Sequence, residues 1–367
     1  MTATLDSDSR LMLIAPHPDD EALACSVILQ RAVRAGAAIR VVYATDGDDN
    51  PWPQRVFERK WRLKTADRKR WGKLRRSEAL AALRVLGVEA SQARFLGLPD
   101  QGLTDLLRRG CRSTLKRFDQ IVTEWSPTHL LVPSVADTHP DHSALAVMLQ
   151  LALGDLAEPR MSVWSYAVHG KSAAFFGRAR QNRQSRAETA TKLLAIRCHK
   201  TQIKLSRRRF LGYAARQERL LRLGSDQTTI ADGAIREVFR QPRTLRLKLA
   251  LPAKLIRASE PALFVLGQDS LGTPCCLKAR LPVRSSEIGL SEYLSGQEQI
   301  KARYQGNAFA GELMIPIDLF SPARALFVKL ERRTLFFDEA GWLEVPAAVP
   351  SRPTAPLEAV ERSLVIR

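Results

Sequence analysis

Cysteine is scarce and unpatterned. Cys25, Cys111, Cys198, Cys275 and Cys276 are odd in number and show no CxxC spacing. A disulfide framework is therefore not expected, and a reduced compartment fits. Long apolar runs are missing too. Stretches such as Leu11 to Ala15 fall far short of the roughly 20 residues that a bilayer span requires. The opening MTATLDSDSR has no basic start followed by an apolar stretch, so it does not read as a secretory leader. Neither a Gly-rich phosphate loop nor a Ser-centred nucleophile motif is found. Together these absences predict a soluble, cytoplasmic protein.

Apolar content is ordinary. With 367 residues, 45% of them hydrophobic and 26% charged, the chain can bury a core, and the length suggests two domains or one large one with an appendage. Intrinsic disorder of the whole is excluded. Charge is the unusual number: 57 basic against 38 acidic residues give +19. It is uneven. Residues 1–50 carry 4 basic and 8 acidic groups, residues 51–100 carry 13 and 5, and residues 151–250 carry 21 and 7. Such an excess concentrates anionic partners but says nothing about fold.

The first half alternates strands with helices. Strands are predicted at Leu11–Ala15, Ala38–Ala44, Arg94–Leu98 and His129–Pro133, with helices at Asp20–Ala35, Ser77–Leu86, Thr104–Glu124 and His142–Leu153. This spacing implies βαβ units: an α/β fold with a Rossmann-like, mostly parallel sheet and flanking helices. Polar residues fall just after the strand ends, where open α/β sheets bind ligands. After Pro242 short alternating runs with turn residues suggest a β-rich, sandwich-like module, and Leu335–Leu343 reads as a hairpin. The expected organisation is residues 1–240 as the α/β domain, 241–346 as the β-rich domain, and 347–367 as a Pro/Ala-rich tail.

Two segments carry the chemistry. Ala15-Pro16-His17-Pro18-Asp19-Asp20-Glu21 closes the first strand, and His139-Pro140-Asp141-His142 follows the fourth. An imidazole and a carboxylate from one turn, with a second imidazole from a distant strand end, make three protein ligands and leave a fourth position open, as at catalytic zinc. Of the neighbouring Asp19 and Asp20, one can ligate while the other stays available as a base. Helix capping by these aspartates and histidines is the alternative.

With these segments, Thr45-Asp46-Gly47, Arg76-Ser77-Glu78, Leu96-Gly97-Leu98-Pro99-Asp100 and His199-Lys200-Thr201-Gln202, the sequence resembles the PIG-L/LmbE-like zinc-dependent de-N-acetylases over about residues 10–220. The resemblance implies that His17, Asp20 and His142 hold the metal and that Asp19 is the general base. It makes His139 the stabiliser of the oxyanion or the proton donor to the leaving amine. Asp141 then orients one of the HPDH histidines, and Asp46, Arg76, Asp100 and Gln202 lie on the substrate side. The metal implied is Zn2+, with Fe2+ an alternative because a His/His/Asp set accepts several divalent ions. Asp48-Asp49-Asn50 after Thr45-Asp46-Gly47, and Asp137 where some members have tyrosine, depart from the pattern.

The expected reaction is removal of the N-acetyl group from a GlcNAc-type amino sugar in a glycoconjugate, releasing acetate and a free amine. Alternatives are a deacylase of a small amino-sugar metabolite or natural product, and a catalytically silent basic protein that binds membrane or nucleic acid. From Trp52 to Arg76 lie eleven basic residues, Arg55 to Arg76, against Glu58 and Asp67, together with Trp52, Phe57, Trp61 and Trp71. This reads either as a solvated helix face or as a lip for an anionic or lipid-linked substrate at an anionic membrane surface, on the inner face. Nucleic acid is disfavoured because no binding motif accompanies the charge.

Overall fold

The computed structural model describes residues 5–154, 161–170, 175, 177–224, 233–251, 261–334 and 336–347. Four of the expected strands form, with small changes of boundary: β1 (Arg10–Ala15), β2 (Ala38–Thr45), β3 (Ala93–Leu98) and β4 (His129–Pro133). With β5 (Ser162–Tyr166) they make a parallel array in the order β3-β2-β1-β4-β5. Strands β6 (Arg180–Asn182) and β7 (Glu218–Arg222) extend it antiparallel. The α/β class and the mixed, mainly parallel sheet agree with expectation.

Residues 11–15 are apolar at every position because the sheet is covered on both faces. Period-2 alternation sends Leu11, Leu13, Val41 and Tyr43 to one face and Met12, Ile14, Val42 and Ala44 to the other, each into its own apolar cluster. The first cluster packs under α1 (Asp20–Leu23), α2 (Ser26–Arg34), α4 (Thr65–Val85) and α8 (Arg186–Cys198). The second packs under α5 (Leu103–Arg108), α6 (Arg112–Trp125) and α7 (Pro140–Leu153). Two further helices, α3 (Pro51–Glu58) and α9 (Lys200–Gly212), pack against each other at the edge.

Two expected helices are broken. Asp20–Ala35 divides at Ala24 and Cys25, where the Glu218 carboxylate accepts from Val27 N and Ile28 N and so starts a second helix. Thr104–Glu124 divides at Gly110 and Cys111, both at positive φ. α4, by contrast, starts twelve residues before the expected Ser77, because the Asp67 carboxylate accepts from Lys64 N at 2.9 Å and satisfies its first turn. Most of the basic stretch is therefore helical.

Among the described residues the β-rich region, which also includes β10 (Ala262–Gln268), β11 (Pro274–Arg280) and β14 (Ala310–Pro316), is one nine-stranded antiparallel ladder, β18-β15-β10-β11-β12-β13-β14-β9-β8, rather than two stacked sheets. Apolar residues of β8 (Ile235–Arg240) and β9 (Thr244–Ala250) share a cluster with those of β15 (Leu326–Glu331) and β18 (Leu343–Val345), so the sheet curls over its own core. Arg240 Nη1 bridges these ends by donating to Arg324 O and Pro346 O. Since β8 begins at Ile235, this sheet starts a few residues before the expected 241. In β13 (Glu298–Asn307), which pairs with β12 (Arg284–Glu292), Ile300, Ala302 and Tyr304 alternate with polar residues, the period-2 pattern of a half-buried strand. The Pro/Ala-rich tail beyond Ala347 lies outside the described residues.

The two units are packed together. Phe264, Leu266, Phe327 and Trp342 of the β-rich sheet enter the cluster under α5, α6 and α7. Arg108 of α5 sits 3.5 Å over the Phe264 ring and pairs with Glu331 at 3.0 Å. No described helix is long and apolar enough to cross a membrane.

Candidate metal centre

β1 and β4 are neighbours, so turns 122 residues apart in sequence meet above their carboxyl ends. His17 N donates to Asp20 Oδ2 at 2.9 Å, which fixes the Asp20 carboxylate beside its own turn. His17 Nδ1 then lies 3.2 Å from His142 Nε2 and 3.8 Å from Asp20 Oδ2, and His142 Nε2 lies 3.6 Å from Asp20 Oδ1. Zinc with nitrogen and oxygen ligands at about 2.0–2.2 Å in a tetrahedron spaces those ligands roughly 3.3–3.6 Å apart. The two imidazole nitrogens and the Asp20 carboxylate lie 3.2–3.8 Å from one another, close to that spacing, and all three residues are buried.

Among the described residues, two groups bring one ligand atom from each member within 4.8 Å of the others: His17, His139 and His142, and His17, Asp100 and Asp141. The partners of each ring favour the set of His17, Asp20 and His142. His17 Nε2 faces Asp100 Oδ1 at 3.1 Å and Asp141 Oδ2 at 3.4 Å, while His142 Nδ1 faces Asp137 Oδ2 at 3.2 Å. Each histidine thus has a carboxylate on one nitrogen and leaves the other for an ion, the usual way of fixing tautomer and ring orientation. Asp141 also accepts from Gln101 N and Leu103 N, and Asp100 from Asp49 N, so both carboxylates are already engaged.

Asp141, expected to orient an HPDH histidine, has its carboxylate against His17, and Asp137 lies against His142. Asp100, expected on the substrate side, also lies against His17. Asp137 is anchored by His139 N, Val168 N and His169 N, which ties the loop after β4 to the loop after β5. Burial works against its charge, but His142 and these amides hold its pKa at about 2. For His17, burial is outweighed by Asp100 and Asp141, which raise its pKa. Burial and the neighbouring His142 and His17 push His139 well below the ordinary histidine value, so its imidazole is neutral.

Asp19 takes a different direction from Asp20. Its φ of 140° is a region L residues avoid, costing on the order of 1–3 kcal/mol, and it turns two consecutive carboxylates apart. It makes no side-chain cap to α1. Instead Asp19 Oδ2 accepts from Arg75 Nη2 at 3.0 Å, and Arg75 also donates to Pro18 O and Gly47 O. The glycine of Thr45-Asp46-Gly47 makes room for this: at φ 62°, a Cβ on Gly47 would stand 1.8 Å from Arg75 Nη1. His139 does cap, its Nδ1 accepting from Asp141 N at 3.2 Å. That bond aims the ring and leaves Nε2 for chemistry.

The remaining expected residues are scattered. Asp46 and Arg76 bind each other through two bonds of 2.7 and 2.5 Å. Gln202 is buried at the start of α9, where its Oε1 accepts from Asn50 Nδ2 at 3.4 Å. His199 pairs with Glu21 at 2.7 Å, and Glu21 in turn accepts from Asp19 N. Sequence reasoning missed Arg75 and the roles of Asp137 and His169. His169 lies 5.1 Å from the His142 ring and 5.6 Å from that of His139.

Residues 12–153 match the model of the PIG-L family, GlcNAc-PI de-N-acetylase. Over 149 residues, 36% of this chain and 47% of the relative, the sequence is 32% identical to the 1D-myo-inositol 2-acetamido-2-deoxy-alpha-D-glucopyranoside deacetylase of Mycobacterium bovis (strain BCG / Pasteur 1173P2). Over 100 residues, 26% and 31% of the two chains, it is 36% identical to the protein of that name from Mycobacterium sp. (strain KMS). The chain thus spans less than half the length of these curated relatives. Among solved structures, the N,N'-diacetylchitobiose deacetylase of Pyrococcus horikoshii is similar with a TM-score of 0.46 and 19% identity over 59% of this chain and 84% of that one. A deacetylase of teicoplanin biosynthesis gives 0.45 and 19% over 60% and 100%.

Proposed function

We propose that this protein is a metal-dependent hydrolase that removes the acetyl group from the nitrogen of a GlcNAc-type amino sugar, releasing acetate and a free amine. The observation that carries the reading is the triangle of His17 Nδ1, His142 Nε2 and Asp20, with Asp19 held apart from it by Arg75. The PIG-L match over the same segment and the deacetylase names of the mycobacterial relatives support it.

His17, Asp20 and His142 would hold a divalent ion, zinc or iron(II). Such an ion polarises an amide carbonyl and acidifies water. Asp19 accepts the proton of the attacking water, because its carboxylate is buried yet paired with Arg75 on one oxygen only. His139, neutral and aimed by its cap, offers Nε2 to the developing oxyanion or to the departing nitrogen. The purified protein should contain a divalent metal and release acetate and primary amine from an N-acetylated amino sugar. A metal-loaded sample inert on a panel of such sugars would reject the reading.

Gly47→Ala tests the placement of the base. The added methyl group evicts Arg75 and lets Asp19 turn, so turnover should fall on the order of a hundred-fold, as for a misplaced catalytic group. Bound metal should stay unchanged when measured beside kcat.

The basic lip has a mixed character. Trp71 is fully buried and meets Phe57 edge-on, whereas Trp52 and Trp61 are 45% and 79% exposed. Arg59, Arg62 and Lys69 are exposed, while Arg68 is tied to Asp49 at 2.7 Å. Replacing Arg59, Arg62 and Lys69 with Gln should lower kcat/KM on an anionic N-acetyl glycoconjugate and flatten its salt dependence, since exposed charges are screened beyond about 8 Å at physiological ionic strength. Hydrolysis of an uncharged N-acetyl sugar should be unaffected. Salt-independent kinetics on both substrates for both proteins would make this stretch an ordinary solvated face.

A further inference from the structure

The β-rich unit reaches the metal centre. Between β15 and β18 two short antiparallel strands pair, β16 (Arg333–Thr334) and β17 (Phe337–Asp338), and the chain after them runs along the loop after β4. Asp338 N donates to Thr138 O at 2.9 Å, and Trp342 N donates to Val135 O at 2.7 Å. Gly341 permits the approach, because a Cβ there would stand 2.1 Å from Val135 O. The buried pair of Lys329 and Asp338 fixes β17 to β15.

These anchors set Phe337 beside His139 and His169. Its ring is 5.8 Å from that of His139, nearly perpendicular, and 5.1 Å from that of His169. Arg209 of α9 lies 5.4 Å over the same ring and donates to His169 Nδ1 at 3.5 Å. Phe337 belongs to none of the three apolar clusters of described residues, so its placement is not explained by core packing. Aromatic rings with a few polar groups at the edge of a catalytic pocket are how small-molecule sites grip a ligand's apolar face.

We propose that Phe337, delivered by the β-rich module, contacts the substrate and sets specificity. With His169 and Arg209 it forms the wall beside His139 against which the amino-sugar ring packs, the guanidinium favouring a sugar with an anionic substituent. The wall rests on the amino-sugar reading of the site, but its test does not require turnover. Binding of N-acetylglucosamine and of N-acetylglucosamine 1-phosphate to the metal-loaded full chain is measured by calorimetry, beside metal content, Tm and acetate release. Wild type should bind both sugars, the phosphate more tightly. Phe337→Ala should weaken both by about tenfold, the scale of one lost aromatic contact. Phe337→Leu, which keeps bulk for folding but not the ring, should also weaken both, and Phe337→Tyr should restore them. Arg209→Gln should weaken the phosphate alone. Wild-type affinity in Phe337→Ala or Phe337→Leu at unchanged Tm and metal content overturns the wall, as does a wild type that binds neither sugar. Ring-dependent binding in a protein that releases no acetate upholds the wall and rejects the hydrolase reading instead.

Discussion

Asp19→Asn should lower turnover at least about a hundred-fold while bound metal stays near stoichiometric, since a positioned proton acceptor contributes on the order of a hundred- to ten-thousand-fold. The substitution keeps size and one oxygen acceptor for Arg75 but removes the basic oxygen and the negative charge. Arg75 is itself only 3% exposed, so its guanidinium loses its buried counter-charge and the fold should lose a little stability. The signature is therefore a modest fall in Tm, unchanged metal and a collapse of kcat (KM moving little), which identifies an interaction made in the transition state. A kcat near wild type would leave Asp19 as no more than the partner of Arg75. The strained φ of 140° is hard to explain on that basis alone, because an aspartate serving only Arg75 gains nothing from a conformation that costs stability.

The part of this site legible in the sequence is the part carried by local spacing. His17, Asp20 and His142 stand at strand ends, and apolar strands such as 11–15 and 129–133 mark those ends without ambiguity. The orienting carboxylates were harder, because orientation is a property of approach between loops. Asp141 lies between two histidines in sequence, yet the turn of α7 swings its carboxylate toward Gln101 N, Leu103 N and His17. In the sequence Asp137 stands out only as a departure from the family pattern, and its contacts emerge only when β5 brings Val168 N and His169 N against it. Arg75 and Arg76 show the same limit on a helix. Successive residues point about 100° apart on the 3.6-residue period, so Arg75 reaches Asp19 while Arg76 reaches Asp46. No composition argument separates them. Phe337, finally, is 198 residues from His139 in sequence, and only the packing of the two sheets brings it there.

Removing a ligand should have the second large effect, and of a different kind. His17→Ala, Asp20→Ala and His142→Ala each leave two donors where three stood, so each should lose both metal and activity. Added zinc should raise the Tm of the wild-type apoprotein, because an ion that binds only the folded state stabilises it by about 2.7 kcal/mol at a hundred times its Kd. The ligand variants should show little of that rise. Asp137→Asn belongs between these extremes: it keeps all three donors but loses the carboxylate behind His142, so metal affinity should fall about 10- to 100-fold, as for other such partners. Acidification should mimic the ligand variants. Burial and Asp19 raise the pKa of Asp20 against the pull of His142 and His17, and Asp100 and Asp141 raise that of His17. Both groups must shed a proton to ligate, so affinity is full where they are deprotonated and falls as pH drops through these raised values. Graded loss across Asp137→Asn, then the alanine variants, read by metal analysis and Tm together, is the pattern that a metal centre with built-in orienting partners must give. Full metal retention in all three alanine variants would return the two turns to helix capping.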